Sequence, residues 1–458
     1  MQTIFITSFH PHISRNVLAT SAFSLLKARS DIKIVLVVPA YKAEYFRERF
    51  GGANVLVEGV ALYRASRTLR GLFFKKLAIF LFDSESARNR KRYDYYLTGK
   101  VFRYSAAMIL GALGHSALTR RAARALDLRL SPKGLFDELL ARLRPDAVFS
   151  TDVQNENDVS LMQDARRRGI RVIAMARSWD NLTLRFLRVF PDRLIVGSEV
   201  LARELKEFHG YPSSRLAVTG NPHYDLYRQG PDMDRAAFLT SFGLDPSKKL
   251  ILYAPVSDAL IRINDMDQYI MGILAGLSVN IMVRFPPEKG VRLENFAKPS
   301  HMAYDRPGQA FKENEVGDRE IRPEDDAMLM RELSYADVVV TGPTSIALDA
   351  MFFDKPAIMA DIYPTPRHFF EGVWRYRDNH IKKLAACGGV TYADTKEKLL
   401  DAIAAYLKNP ASGSRGRAAA RALWFSHADG HAGERLAREL ISFLGLENAS
   451  QWIPLETL

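Results

Sequence analysis

The stretch TGPTSIALDA, residues 341 to 350, decides the fold of this chain. It follows an apolar run, Val338 to Val340, that has the character of a buried strand. A glycine-containing turn between a buried strand and a helix directs free backbone N–H groups and the positive helix end at one point. We therefore expect Gly342, Thr344 and Ser345 to bind a phosphate group.

Asp349 extends this pattern into the predicted helix. It lies four residues after Ser345 and hence one turn further along the same helix face. A carboxylate in this position can accept hydrogen bonds from the hydroxyl groups of a ribose. The stretch therefore predicts a nucleotide-binding site.

Length and composition fit a two-domain intracellular protein. The 458 residues exceed what one hydrophobic core usually supports, which predicts two domains with a cleft between them. No apolar run approaches the roughly 18 residues of a membrane span. The N-terminal sequence MQTIFITSFH alternates like a buried strand and lacks the basic start of a secretory signal, so we expect a cytoplasmic location. The single cysteine, Cys387, excludes an internal disulfide.

The positive charge is concentrated in one segment. Residues 61–130 hold 15 Lys or Arg and 4 Asp or Glu, a net charge of +11 within a chain whose total is +12. Aromatic and apolar residues interleave with these charges, as in GLFFKKLAIFLF (71–82). Such a basic insertion suits an anionic membrane surface or an acidic or lipid-linked substrate. The alternative is a core helix with a basic outer stripe. No nucleic-acid-binding motif accompanies the charge.

Strand and helix patterns alternate along the whole chain, which is typical of α/β proteins with parallel sheets. The pattern divides into a first domain at 1–227, a linker at 228–248 and a second domain at 249–458, whose last helices are candidates to cross back. Ligands of such sheets bind beyond the carboxyl ends of the strands. Strands are expected at 3–7, 32–38, 54–57, 146–150, 171–175, 193–196, 215–219, 249–254, 279–284, 337–341 and 357–360.

Several segments together resemble a known superfamily. Besides TGPTSIALDAMFFDKPAI (341–358), they are ARSWDNLT (176–183), LILYAPV (250–256), IMVRFPP (281–287) and the long stretch that begins PDRLIVGSEV and ends TGNPHYD (191–225). They resemble proteins of the GT-B fold, which pairs two doubly wound Rossmann-like domains across a cleft. This superfamily includes nucleotide-sugar glycosyltransferases, UDP-N-acetylglucosamine 2-epimerases and CDP-glycerol glycerophosphotransferases.

Two departures from the family patterns affect the expected reaction. Glycerophosphotransferases carry an Arg-x-His-Pro motif after the second strand of the nucleotide domain, whereas Arg284 is followed here by Phe285, Pro286 and Pro287. The histidine of that motif is therefore missing. Many glycosyltransferases also have a glutamate where this chain has Asp349, whose side chain is one methylene shorter.

Polar residues at the strand ends of the first domain are candidates for catalysis and acceptor binding. His10 and His12 follow the first strand, where several inverting GT-B enzymes hold a base, and imidazole suits this role because its pKa is near neutrality. Asp152 and Asp180 are further candidate bases. The alternative for these carboxylates is helix capping or an Asx-turn. Trp179 and Asn181 are expected to contact the acceptor.

The remaining candidates are expected at the nucleotide, at the acceptor or at a helix start. Asn221 belongs to a segment that lies beside the nucleotide or sugar in the resembled proteins, and His223, two residues later, is expected at the acceptor. Arg284 and Lys289 carry charge that suits a departing diphosphate. For Lys289 a surface ion pair is the alternative. Asp325 and Asp326 are expected to cap a helix.

These observations predict a glycosyltransferase that moves a sugar from a nucleotide-activated donor to a polysaccharide or lipid-linked acceptor of the cell surface. Peripheral contact with the inner membrane face is expected, and no cofactor, metal or nucleic acid, because the sequence holds no metal-ligand spacing, Walker turn or dinucleotide fingerprint. Three alternatives stay open. They are glycerophosphate or related phosphopolyol transfer, sugar-nucleotide 2-epimerisation, and a noncatalytic binding role on the same fold.

Overall fold

Two parallel sheets organise the chain, whose computed structural model describes residues 1–287, 290–311 and 319–446. The first sheet has the strand order β3-β2-β1-β4-β5-β6-β7. Its strands are β1 (Gln2–Thr7), β2 (Ile32–Pro39), β3 (Val55–Val60), β4 (Ala147–Ser150), β5 (Arg171–Met175), β6 (Arg193–Val196) and β7 (Leu216–Val218). Most of these strands are apolar throughout, because helices cover both faces of the sheet.

The second sheet has the order β10-β9-β8-β13-β14-β15, and a short antiparallel hairpin, β11 with β12, lies outside it. The strands are β8 (Leu250–Ala254), β9 (Asn280–Arg284), β10 (Met302–Asp305), β11 (Gln309–Ala310), β12 (Arg319–Glu320), β13 (Val338–Thr341), β14 (Ala357–Ala360) and β15 (Val390–Ala393). The eleven strands expected from the sequence are all present, with ends that differ by a few residues.

The helices cover the sheets and connect their strands. They are α1 (Ser21–Lys27), α2 (Ala43–Phe50), α3 (Leu69–Phe80), α4 (Glu85–Thr98), α5 (Val101–Leu113), α6 (Ala117–Leu130), α7 (Asp137–Leu143), α8 (Glu156–Arg167), α9 (Glu199–Glu204), α10 (His223–Gln229), α11 (Arg235–Ser241), α12 (Met266–Ala275), α13 (Pro323–Tyr335), α14 (Ser345–Phe352), α15 (Asn379–Ala386), α16 (Lys396–Lys408), α17 (Ser414–Trp424) and α18 (Ala432–Leu444). Among the described residues, no helix is both long and apolar enough to cross a bilayer.

Strand order fixes where a ligand can bind. In the first sheet the order reverses between β1 and β4, and in the second between β8 and β13. At such a reversal the loops after the two strands diverge and leave a crevice at the carboxyl edge of the sheet. The turn that follows β13, which the sequence predicted to bind phosphate, lies at the reversal point of the second sheet.

The final helix, α18, packs on the first domain. Leu436, Leu440 and Leu444 join the core formed by β1, β2 and α1. A Cβ at Gly433 would lie 2.0 Å from the hydroxyl of Ser21 and 3.0 Å from the backbone nitrogen of Ala22, so α1 and α18 are in close contact there. Helix α18 therefore ties the C-terminal part of the chain to the N-terminal sheet.

Two local features differ from the sequence expectation. The predicted linker, 228–248, contains α11, whose Phe238 and Leu239 are buried in the core of the second domain. Strands β10 and β15 were not predicted, because each has only four residues and neither is a continuous run of β-branched residues. Lys289 lies outside the described residues.

The two domains contact each other on both sides of the cleft. On one side Lys42 donates to Glu320 at 2.9 Å, and both side chains are buried. On the other side α4 meets α15, where the hydroxyl of Ser86 donates to the side-chain oxygen of Asn379 at 2.9 Å. The structure is therefore closed around the space between the sheets.

A buried carboxyl lies at the reversal point of the first sheet. Asp158 Oδ1 lies 2.5 Å from the hydroxyl of Thr7 and 3.0 Å from that of Ser150. Burial and the charge of Asp152 together raise the pKa of Asp158 to about 8, although these two hydroxyls oppose the shift. Asp158 is therefore mostly protonated in the folded protein at neutral pH.

This shift predicts a specific pH dependence of stability. Because the folded pKa exceeds the unfolded value of about 4, the contribution is complete below about pH 4 and is lost as the pH rises through about 8. Asp158→Asn cannot ionise, so it should gain stability relative to the parent between about pH 5 and 8. Urea unfolding at several pH values measures this gain. Asp401→Asn, at an exposed carboxylate, is the control and should behave like the parent. If the stability of Asp158→Asn followed the same pH dependence as that of the parent, the assignment would be contradicted.

Candidate functional site

The turn after β13 presents unpaired amides to the space between the domains. Gly342 is required there, because a Cβ would lie 2.3 Å from Val256 Cγ2. Thr344 is extended, with φ −115° and ψ 166°, and its hydroxyl lies 2.8 Å from that of Thr341. Among the described residues the backbone N–H groups of Ser345 and Ile346 have no hydrogen-bond partner. Helix α14 therefore begins with two free donors at its positive end.

Arg15 brings a positive charge to the same place from the first domain. It lies in a π-helical turn, Ser14–Leu18, that follows β1. Its largely buried guanidinium lies beside Ser345, and the two side chains line the same two cavities. Burial opposes its charge, but Asp326 and Asp349 outweigh burial and raise the pKa of Arg15. A fixed cation and a helix N-terminus thus face one point between the domains.

Asp326 connects the two domains behind Arg15. Its Oδ1 lies 3.8 Å from Arg15 Nη1, and its Oδ2 lies 2.7 Å from Nδ1 of His223. Asp326 belongs to α13 of the second domain, whereas Arg15 and His223 belong to the first. The sequence predicted only a capping role for this residue. Its neighbour Asp325 does cap α13, since Oδ2 accepts from the N–H of Arg322 at 2.9 Å.

Two cavities meet at Ser345. One, of about 140 Å³, is mainly apolar, and the other, of about 70 Å³, has a larger share of polar lining and is called the polar cavity. The apolar cavity lies beyond β8 and β9 of the second domain, and the polar cavity extends toward the first domain. The apolar cavity is lined by His12, Arg15, Ala254, Pro255, Val256, Arg284, Phe285, Pro286, Pro287, Pro307, Ile321, Leu329, Thr344, Ser345 and Ile346. The polar cavity is lined by His12, Arg15, Asn16, Met175, Ala176, Arg177, Ser178, Trp179, Gly197, Ser198, Leu201, Asn221, Tyr224, Ser345, Leu348, Asp349 and Trp424.

His12 lines both cavities, and His10 supports it. The N–H of His12 donates to Nδ1 of His10 at 3.2 Å, and the two ring centroids are 4.9 Å apart. Burial lowers the pKa of each histidine well below its usual value, and the nearby charges of Arg177 and Arg15 lower it further. Both imidazoles are therefore neutral at physiological pH, which is the form that accepts a proton.

Asp349 lies on the predicted face of α14 and lines the polar cavity with Ser345. Its carboxyl is buried, and in the part of the chain that the structure covers Oδ2 has no hydrogen-bond partner. Burial raises the pKa of Asp349, while Arg15 and His223 oppose this shift. An unpartnered carboxyl oxygen at a cavity wall is a natural acceptor for a ligand hydroxyl.

The two other candidate bases have partners of their own. Asp152 accepts from Nε of Arg177 at 2.8 Å and from the N–H of Gln154 at 3.0 Å, as in an Asx-turn. Asp180 lies 3.4 Å from Arg375 Nη2. Burial would raise the pKa of Asp180, but His380, Arg375 and Arg177 reverse this and hold it well below its usual range. The lowered pKa makes the Asp180 carboxylate a weaker base than an ordinary aspartate.

The predicted acceptor residues differ in their placement. Trp179 lines the polar cavity and packs edge-on against Trp424, with ring centroids 5.4 Å apart. Asn221, which was predicted to lie beside the nucleotide or sugar, lines the same cavity, and its side-chain oxygen accepts from the N–H of His223 at 3.3 Å. Asn181 is buried in a short 3-10 turn, and its side-chain oxygen has no partner among the described residues.

Arg284 reaches the apolar cavity but is held by other groups. Its Nη1 lies 2.5 Å from Asp305 and 2.8 Å from Glu332, and Nη2 donates to the carbonyl of Asp325 at 2.8 Å. Arg284 is therefore less suited than Arg15 to bind the diphosphate. Arg15 was not predicted from the sequence, because a lone arginine after HPHIS belongs to no recognisable motif.

Across residues 1–287, 290–311 and 319–446, no group of three or more His, Cys, Asp or Glu side chains is arranged to hold a metal ion. The positive groups at Ser345 are instead the helix end and the Arg15 guanidinium.

Comparison with known proteins gives one family match. The family model described as CDP-glycerol:poly(glycerophosphate) glycerophosphotransferase matches residues 175–442, which is more than half of the chain. That range contains the α14 turn, Asp326, His223 and the RFPP segment. No curated protein sequence matches the chain.

Solved structures establish the fold. A UDP-N-acetylglucosamine 2-epimerase is 14% identical, covers 98% of each chain and has a TM-score of 0.54. A putative UDP-N-acetylglucosamine 2-epimerase from Listeria monocytogenes is 11% identical, covers 99% of each chain and has a TM-score of 0.56. The Neisseria meningitidis UDP-GlcNAc 2-epimerase bound to UDP-GlcNAc is 11% identical, covers 96% of this chain and 100% of its own, and has a TM-score of 0.55. The predicted GT-B fold is confirmed.

Proposed function

The chain belongs to the CDP-glycerol:poly(glycerophosphate) glycerophosphotransferase family, and on this premise we propose that it is a transferase that moves a sugar from a nucleotide-activated donor to a polysaccharide or lipid-linked acceptor of the cell surface. The observation that supports this most is the pair of free amides at Ser345 and Ile346, which face Arg15 across the cleft. Together they form a site for a diphosphate.

The two cavities suit the two ends of such a donor. With the diphosphate at Ser345, the nucleoside lies in the apolar cavity, where Phe285, Pro286 and Pro287 offer flat apolar surfaces. The transferred group then lies in the polar cavity, close to Asp349 and Asn221. Asp349 accepts a hydrogen bond from a donor hydroxyl through its unpartnered oxygen.

The proposed reaction uses groups from both domains. The oxygen of an acceptor hydroxyl bonds to the anomeric carbon of the sugar, and the bond between that carbon and the diphosphate oxygen breaks. His12, with His10 behind it, takes the hydroxyl proton as a neutral imidazole. The leaving diphosphate keeps the bonding electrons, and its charge is stabilised by α14 and Arg15. We assign no step to a metal, so a chelator should leave turnover unchanged.

The acceptor side of the proposal involves the membrane. The net charge of +11 in residues 61–130 supports peripheral contact with an anionic inner membrane face, where lipid-linked acceptors are exposed. This charge is carried by helices α3 to α6, and α4 contacts α15 of the second domain at one side of the cleft.

Phosphopolyol transfer is the second candidate, favoured by the family match itself. Here a polyol phosphate moves to the acceptor, and a nucleoside monophosphate leaves. Sugar transfer releases a nucleoside diphosphate instead. The released nucleotide therefore separates the two reactions, and a sugar-nucleotide isomer as the only product would identify an epimerase.

Calorimetry against UDP, GDP, CDP and CMP tests the proposal, followed by product analysis with the matching activated donor. We expect binding of at least one nucleoside diphosphate and weaker binding by Arg15→Gln, which lacks the charge placed at the diphosphate. Binding of CDP but of neither UDP nor GDP would favour phosphopolyol transfer. No binding of any of the four would contradict the enzyme assignment, leaving a noncatalytic role.

A further inference from the structure

Helix α5 carries an apolar face that no other part of the described chain covers. Phe102 is 94% exposed and Ile109 is 62% exposed, although both are large hydrophobic residues. The exposed positions follow helical spacing, so they form one face over the whole helix, and none is charged. They are Val101, Phe102, Ser105, Ala106, Ile109, Ala112 and Leu113.

The neighbouring helices of the insertion add to this surface. Leu69 at the start of α3 is 89% exposed, and Leu118 at the start of α6 is 77% exposed. Phe73 and Leu126 are also exposed on these helices. This many exposed large apolar side chains within one insertion exceeds the scattered ones of an ordinary surface and indicates a binding face.

The charges around this face indicate what binds to it. Exposed basic residues flank the apolar positions at Arg70, Lys76, Lys100, Arg121 and Arg129. A second copy of the chain docked symmetrically on the same face would bring two segments of +11 together, which is unfavourable. An anionic lipid surface satisfies both the apolar residues and the cations.

The face is also connected to the proposed site. Helix α4, which packs against α5, stacks Tyr93 on Trp374 of the second domain with ring centroids 4.9 Å apart. On the next helix, His380 packs edge-on against Trp179, which lines the polar cavity, at 4.7 Å. A short series of packed side chains therefore links the insertion to the cavity that faces the acceptor.

We propose that α5 lies in the plane of an anionic bilayer, with Phe102 and Ile109 among the lipid chains and the flanking lysines and arginines at the headgroups. The inference deepens the proposed function, since a lipid-linked acceptor would then reach the polar cavity from the surface that α5 occupies. The contact itself stands on the exposed residues and their charges.

Cosedimentation of the full chain with phosphatidylglycerol vesicles tests this inference. The double variant Phe102→Asp/Ile109→Asp should bind these vesicles at least about tenfold more weakly than the parent, because each change removes a buried apolar side chain from the lipid and adds a repelled charge. Parent binding should also fall as salt rises and be weak on phosphatidylcholine vesicles. Ile263→Asp is the matched control, since Ile263 is 69% exposed outside the insertion.

This test separates a failure of the membrane contact from a failure of the proposed function. Nucleotide affinity, measured by calorimetry on the same variants, should equal that of the parent whether or not the proposed chemistry is right. Equal vesicle binding by the parent and the double variant would overturn the inference. So would a concentration-dependent dimer that the double variant abolishes, because the face would then belong to a second copy of this chain.

Discussion

Replacement of Arg15 by glutamine is expected to lower kcat/KM for the nucleotide-activated donor by at least about 100-fold. Arg15 holds a fixed positive charge beside Ser345 in a space from which much of the water is excluded. There a cation stabilises a departing diphosphate far more than it would in water. Glutamine keeps the length and polarity of the side chain and removes only the charge. Steady-state kinetics with a saturating acceptor measures the loss.

Two further variants make this result specific. Arg47→Gln removes a solvent-exposed arginine of α2 and should leave kcat/KM unchanged. Arg15→Lys retains the charge but not the planar fork that can bind two phosphate oxygens, so it should recover only part of the activity. If Arg15→Gln were as active as the parent, Arg284 would become the better candidate for the diphosphate cation.

Removal of the Asp326 carboxylate is expected to destabilise the closed protein by about 3 kcal/mol. Asp326 is buried, and it neutralises Arg15 while accepting from His223 across the domain boundary. Asp326→Ala leaves the Arg15 charge partly buried without this partner and leaves the imidazole Nδ1 unpaired. Urea unfolding, followed by a probe that reports on both domains, measures the change.

Asp325→Ala is the matched control for this prediction. It changes the preceding residue of the same helix and removes a capping interaction, which typically costs about 1 kcal/mol. The interdomain contacts of Asp326 remain in that variant. A cost for Asp326→Ala no larger than that for Asp325→Ala would mean that the contact between the domains contributes little.

The sequence was sufficient for features that depend on local pattern. The turn before Ser345 was predicted because a run of buried valines, a glycine and a run of helix formers are adjacent in the chain. The parallel sheets followed from alternating strand and helix patterns. Strand order could not be read in this way, so the placement of the turn at a reversal point of the sheet came from the structure.

Residues that act through tertiary contacts could not be predicted. Asp325 and Asp326 are adjacent acidic residues at a helix start, and sequence alone gives both a capping role. Only one of them caps, because the next residue points about 100° further around the helix, toward the first domain. Arg15 was missed for the same reason, since its partners are more than 300 residues away.

The basic insertion illustrates an intermediate case. Its charge and its mixture of aromatic residues were evident in the sequence, but a buried helix with a basic stripe remained equally compatible. The structure excludes a buried helix for α5, because Phe102 and Ile109 lie on the outer surface, whereas the membrane contact stays a prediction. Exposure depends on how the four helices pack, which composition does not determine.

We propose that the first amide of α14 binds the diphosphate. Calorimetry of the Ser345→Pro variant, with the nucleoside diphosphate that binds best to the parent, measures this contact. Proline fits the first position of a helix after an extended residue such as Thr344, so this change removes one N–H group and keeps the helix. Ser345→Ala retains the amide and is the control. We predict that Ser345→Pro binds the nucleoside diphosphate at least about tenfold more weakly than Ser345→Ala, with equal thermal stability. Equal affinity of the two variants would mean that the Ser345 amide does not bind the diphosphate.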